Sequence, residues 1–215
     1  MLYRERVDTD LSIRGFAMGY NEECIKTMQD TTAVRPALRD VVRCFNAHLP
    51  DVRWCSHAGT ALAMFYGRGR KTGGMILPGD NDIDIAVLSE TVDFEEFIKA
   101  FDADGFKPVY MFNDPLYPET GVVVRFQKDE VPIDFYWLYG RGRKRWWLTA
   151  PRTPHVLPAY LFEEFKSMKL LNVELPAPFP LEAYCCNMWK KVGDRFPAAP
   201  EGESLTVNWE WRVKP

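Results

Sequence analysis

Apolar residues recur along the chain at two periods, and the change from one to the other marks out the elements. Leu38, Val41, Val42 and Phe45 fall at helical spacing, so residues 36–48 read as an amphipathic helix. Thr32 precedes it as a cap, and Pro36, which has no N–H to satisfy, suits its first turn. Pro50 and Asp51 end it. Residues 52–57 read as a short strand, and Gly59 opens a small apolar helix over 60–66. The glycine-rich stretch 67–74, carrying Arg68, Arg70 and Lys71, is a loop. Residues 82–88 alternate acidic and apolar before turning wholly apolar, which describes a strand with Ile83 and Ile85 on one face and Asp82 and Asp84 on the other. A helix beginning at Ser89 or Thr91 carries Phe94, Phe97, Ile98 and Phe101, and Gly105 stands just past its end. Strands over 106–112, 121–127 and 131–139 follow, the last two joined as a hairpin by Lys128, Asp129 and Glu130. Residues 143–148 are a candidate further strand. Beyond Pro151 the chain reads as proline-rich connections until a last helix over 181–192, set between Pro180 and Gly193. The expected organisation is an α/β domain over 31–200 with a trailing helical cap. It is preceded by a polar arm over 1–30, with a short helix near 22–29, and followed by a tail over 201–215.

Composition narrows the class. The chain has 215 residues, 47% of them hydrophobic and 27% charged, an ordinary globular mixture that excludes a disordered, collagen-like or coiled-coil protein. The net charge of −3 supplies no global basic field, so nucleic acid is not an expected partner. Cys24, Cys44, Cys55, Cys185 and Cys186 form no C-x-x-C pair, which points to reduced, buried thiols rather than a zinc site or a disulfide framework. No apolar run approaches the roughly 18 residues of a membrane span, and the first residues lack a signal-peptide core. A cytoplasmic location is therefore the expectation, although a piece of a membrane-anchored protein would read the same.

The candidate chemistry sits at Pro78-Gly79-Asp80-Asn81-Asp82-Ile83-Asp84. Asp82 and Asp84 on one strand face lie within roughly 7 Å of each other, and like charges that close need a cation or a raised pKa. Flanking Ile83, Ile85 and Val87 make the strand half buried, so this is not a solvated charge run. Hard oxygen ligands with no His or Cys nearby favour Mg²⁺ or Mn²⁺ over zinc. An Asp/Asn-rich turn before an edge strand is the simpler alternative. An EF-hand loop is excluded, because counting from Asp80 puts Ile85 at the glycine position and Thr91 at the acidic one. Asp134 is a lone carboxylate in the apolar run Val131–Trp137, which makes it either a third ligand from a neighbouring strand or an acid satisfied by an amide or an arginine. Carboxylates on two such strands can hold two divalent ions about 3.5–4 Å apart for an in-line phosphoryl transfer. An arginine bridge on Asp134 would remove it from that set.

An anion-binding side is suggested upstream. Gly59 and Thr60 join a strand to a helix, where free N–H groups and the helix dipole favour phosphate. Arg68, Arg70 and Lys71 in the following loop are candidates to clamp a polyphosphate, or else a flexible surface excursion.

Gly59-Thr60-Ala61-Leu62, then Ile76-Leu77-Pro78-Gly79-Asp80-Asn81-Asp82-Ile83-Asp84, then Ile133-Asp134-Phe135, resemble the LicD/fukutin group of the nucleotidyltransferase superfamily. Lys191-Val192-Gly193-Asp194-Arg195-Phe196-Pro197 is similar to that group's C-terminal motif. Gly79 and Asn81 depart from the usual Trp and Asp, and the basic glycine-rich residues lengthen the gap before Asp80. The resemblance implies a nucleotidyltransferase-like mixed β-sheet flanked by helices, with a C-terminal helical cap. It implies a Mg²⁺-dependent phosphotransferase that moves phosphocholine or ribitol phosphate from a CDP-linked donor to a glycan or other hydroxyl acceptor, releasing CMP. Under it, Asp82 and Asp84 bind two metal ions with Asp80 auxiliary, and Asp134 completes the metal that activates the acceptor. Gly59 and Thr60 then hold donor phosphates, and Arg68, Arg70 or Lys71 neutralises the leaving group. Two alternatives stay open: nucleotidyl transfer from an NTP, and a metal- or nucleotide-binding module that does no chemistry.

Overall fold

A computed structural model of the chain describes residues 31–71, 73, 74, 76, 77, 80, 82–112, 123–149 and 153–189. The expected arm, the tail and the motif at 191–197 lie outside them. Helix α1 (Thr31–His48) begins before the predicted start and takes Pro36 into its interior. Its buried stripe explains this. Val34, Ala37, Leu38, Val41, Cys44 and Phe45 repeat at helical spacing from before the proline, and Pro36 removes only a single backbone bond from the ladder.

Strand β1 (Trp54–Ser56) leads into α2 (Ala58–Tyr66), and β2 (Ile83–Leu88) follows the glycine-rich turn. Ser89–Thr91 is a separate 3-10 turn rather than the start of the next helix. Asp93 is the cap of α3 (Phe94–Ala103), its side chain accepting from the backbone N–H groups of Glu95 and Glu96. Strands β3 (Lys107–Phe112), β4 (Val123–Lys128), β5 (Val131–Arg141), β6 (Lys144–Thr149) and β7 (Thr153–Pro158) come next. The turn between β4 and β5 sets Asp129 and Glu130 at positive φ, as a tight hairpin requires. A hairpin of β8 (Phe165–Leu170) and β9 (Val173–Pro178) precedes α4 (Leu181–Trp189).

The main sheet runs β1-β2-β5-β4-β3, with β6 added to β5 and β7 to β6. Strands β2 and β5 are parallel, and the remaining neighbours are antiparallel. This is a mixed α/β fold whose multi-stranded sheet is flanked by helices. On one face, Phe135 and Trp137 of β5 meet the aromatic side chains of α1 and α3. Phe101 stands 4.6 Å from Phe135 and Phe97 4.9 Å from Trp137, ring centre to ring centre. Phe45 lies stacked on Trp54 at 4.2 Å in the same core. The opposite face carries Asp84, Asp134 and Tyr136 toward the N-terminus of α2, where the His57 ring is 4.8 Å from Tyr136. Strand β7 and the β8–β9 hairpin replace the proline-rich connections expected there. Cys44, Cys55 and Cys185 are buried free thiols, and no helix among the described residues is long and apolar enough to cross a membrane.

Candidate metal centre

The site is built where the end of β1, the N-terminus of α2 and the start of β2 meet. His57 N–H donates to the Asp84 carbonyl at 2.9 Å, which draws the helix start against β2. The Gly59 N–H donates to Asp84 Oδ2 at 2.9 Å, and the Asp84 N–H donates to Thr60 Oγ1 at 2.8 Å. Gly59 and Thr60, expected to hold phosphate, are therefore engaged in fixing a carboxylate, which the helix dipole also favours. Gly59 is glycine for a specific reason: a Cβ there would stand 2.5 Å from Asp80 Oδ2. The close approach that glycine permits is that of Asp80.

Asp80, Asp82 and Asp84 bring one ligand atom each within 4.8 Å of one another. Asp84 is buried, and the other two are half-buried. Burial is the largest influence on Asp82 and pushes its carboxyl up to about 8, with the negative charges of Asp134 and Asp80 adding and Arg125 opposing. Asp84 is raised well above the ordinary carboxylate range by burial and then by Asp82, Asp80 and Asp134, with a hydrogen bond to Tyr136 opposing. Crowded, desolvated acids of this kind are stabilised by a cation. Their hard oxygens can coordinate a divalent metal such as Mg²⁺ or Mn²⁺.

Asp134 is beside the cluster but differently engaged. Register sets it opposite Asp84 on β2 and opposite Arg125 on β4. Arg125 Nε donates to Asp134 Oδ1 at 2.6 Å and its Nη2 to Asp134 Oδ2 at 2.7 Å. The same Nη2 donates to Asp82 Oδ2 at 2.5 Å. Asp134 is thus in an arginine bridge without being turned away from the acids. The expectation that its oxygens complete a metal gives way to this pairing, because an antiparallel neighbour places a guanidinium directly across from it. Arg125 is the residue that the sequence reading missed. Its signal was a charged side chain set among Val123, Val124 and Phe126 of β4, at the position that faces Asp134 across the hairpin.

Behind the acids lies a second buried layer. Tyr184 of α4 accepts from the Ala58 N–H at 2.9 Å, and its hydroxyl is 2.7 Å from His57 Nδ1. Complete burial, with His155 adding, lowers His57 to about 3, so the ring is neutral. His155 stacks on Trp147 at 5.1 Å.

The basic loop is tied down more than expected. Gly74 N–H donates to the Lys169 carbonyl and Leu171 N–H to the Gly74 carbonyl, both at 2.9 Å. Arg68 lies over the Phe65 ring at 4.1 Å and pairs with Glu182 at 3.7 Å. Arg70 and Lys71 are on the exposed side of the turn. Trp137 and Trp147 are core residues, and Arg145 pairs with Glu90 at 2.5 Å.

No protein-family model matches the chain, and no curated protein matches it.

Proposed function

We propose that the chain is a metal-dependent transferase that moves a phospho-alcohol group, of the phosphocholine or ribitol-phosphate kind, from a CDP-linked donor to a glycan or other hydroxyl. CMP is the leaving group. The observation that carries the reading is the convergence of Asp80, Asp82 and Asp84 at the N-terminus of α2. The resemblance to the LicD/fukutin group supports it through the same residues. A bound divalent ion supplies positive charge at a phosphoryl oxygen of the donor. Asp82 and Asp84 hold it, and Asp80, packed over Gly59, completes the oxygen set. The Gly59 N–H and Thr60 hydroxyl keep Asp84 oriented, so the ligand geometry is fixed before binding. Arg70 and Lys71, exposed cations of the glycine-rich turn, are the groups this reading assigns to donor phosphates. Asp134, both of whose carboxylate oxygens accept from Arg125, acts as a charge partner rather than as the acceptor's base.

The arginine bridge favours a second reading, a metal- or nucleotide-binding module without chemistry, since it takes from the cluster the acid that a two-ion reaction would use. Nucleotidyl transfer from an NTP is the alternative within the same chemistry. One experiment separates all three. The chain is incubated with Mg²⁺ and labelled CDP-choline, CDP-ribitol or each of the four NTPs, with glycan acceptors, and the products are resolved. CMP release with a phospho-alcohol product is expected. NMP transfer would replace the reading with nucleotidyl transfer, and binding without turnover would leave the non-catalytic module.

A further inference from the structure

We infer that Arg125 is a fixed cation standing where a second divalent ion would otherwise sit, so that the acidic site takes one metal ion and not two. The inference rests on the metal reading above and sharpens it.

The sheet itself aims the guanidinium. Asp84 on β2, Asp134 on β5 and Arg125 on β4 are cross-strand neighbours in one row. Arg125 is therefore delivered to the acids by strand register rather than by a loop free to swing aside. Its hydrogen bonds cover both oxygens of Asp134 and Oδ2 of Asp82. A two-ion site needs one carboxylate shared between the ions and another to finish the second ion. Here the acids suited to the second ion are Asp82 and Asp134, and these are the two that Arg125 holds. Asp80, Asp84 and Asp82 remain the set whose ligand atoms converge.

Displacement is disfavoured from both sides. Arginine stays charged at every working pH, so no protonation change releases it. The Asp134 side chain is only 6% exposed and that of Arg125 26%. Separating them strands a buried carboxylate, and severing a pair of this kind is costly. A divalent ion placed between Asp82 and Asp134 would stand against the guanidinium and be repelled by it.

The test counts ions. The full chain is equilibrated by dialysis against Mn²⁺ without substrate, and bound manganese is measured by elemental analysis. Wild type is expected to hold one Mn²⁺ per chain. Arg125→Gln, which removes the charge, is expected to hold two, a doubling. Arg125→Lys, which keeps the charge, is expected to return to one. Folding of each variant is checked by circular dichroism and melting. Two ions in wild type overturn the inference and leave the metal reading standing. An unchanged count in a folded Arg125→Gln, or two ions in Arg125→Lys, also overturns it. No bound Mn²⁺ in wild type overturns the metal reading and this inference together. Should Arg125→Gln fail to fold, two ions in wild type or in Arg125→Lys still overturn the inference.

Discussion

Asp84 shows how single residues carry the account. Its carbonyl, amide and carboxylate are each engaged by the start of α2, while burial and neighbouring acids raise its carboxyl. A group whose folded pKa is raised is favoured protonated, so its ionisation destabilises the metal-free fold as pH rises above the ordinary carboxylate range. Asp84→Asn should therefore be more stable than wild type in chelator at pH 8, by roughly 0.5–2 kcal/mol, the scale of a relieved functional-site conflict. The gain should shrink as pH falls toward 4, where the unfolded chain's carboxyl begins to take up its proton as well. Urea unfolding at the two pH values checks this, and equal stability at pH 8 would remove the conflict from the argument. At this scale the sequence was informative about the acids, because Asp82 and Asp84 alternate with isoleucines and so share a strand face. Arg125 was marked only by its charge beside Val123, Val124 and Phe126, and its partner emerges only when the β4–β5 hairpin register is combined with it. A glycine at a helix start advertises a close approach, and at Gly59 the carboxylate of Asp80 makes one.

Elements explain how the site is held. Helix α2 is preceded by His57, whose neutral ring is wedged between Tyr136 and Trp147 at 4.8 and 4.9 Å. Its folded pKa of about 3 lies below the ordinary value of 6.5, so the fold disfavours its protonation. The stability linked to this is fully present above pH 6.5 and is lost progressively as pH falls toward 3, at up to about 1.4 kcal/mol per pH unit. The stability difference between wild type and His57→Phe should change with that slope in favour of the variant as the pH drops. A difference that stays flat over this window would mean that the ring is hydrated. On the other face, α3 contributes Phe97, which touches Phe45, Phe101, Phe126, Phe135 and Trp137. Phe97→Ala should cost about 3–5 kcal/mol by denaturant unfolding, as large cavities in packed cores do. A cost under about 1 kcal/mol would show that α3 is not anchored there. Helical periods made α1, α2 and α3 readable, but the β8–β9 hairpin was not. Its turn is Leu171-Asn172, both at positive φ, where a sequence signal would be Asn-Gly or Asp-Gly. Pro176 and Pro178 within β9 further concealed it.

The whole molecule places one charged row inside a two-sided apolar sheet. The parallel pair β2–β5 is buried on both faces, which accounts for its nearly continuous apolar runs. Into that pair the fold sets Asp84 opposite Asp134, an arrangement that stability alone would not favour. Alternation of helices and strands announced the α/β class. Strand order and the parallel pairing came only from tertiary contacts, because short apolar strands do not specify their neighbours. The central claim, that Asp80, Asp82 and Asp84 bind a divalent ion, meets its most direct test in melting curves with and without millimolar Mg²⁺ or Mn²⁺. An ion that binds only the folded chain raises the melting temperature by mass action. Wild type should be shifted upward by several degrees and Asp82→Ala, still folded, should not be shifted. Equal curves with and without metal for wild type, or the same shift in Asp82→Ala, would contradict the account.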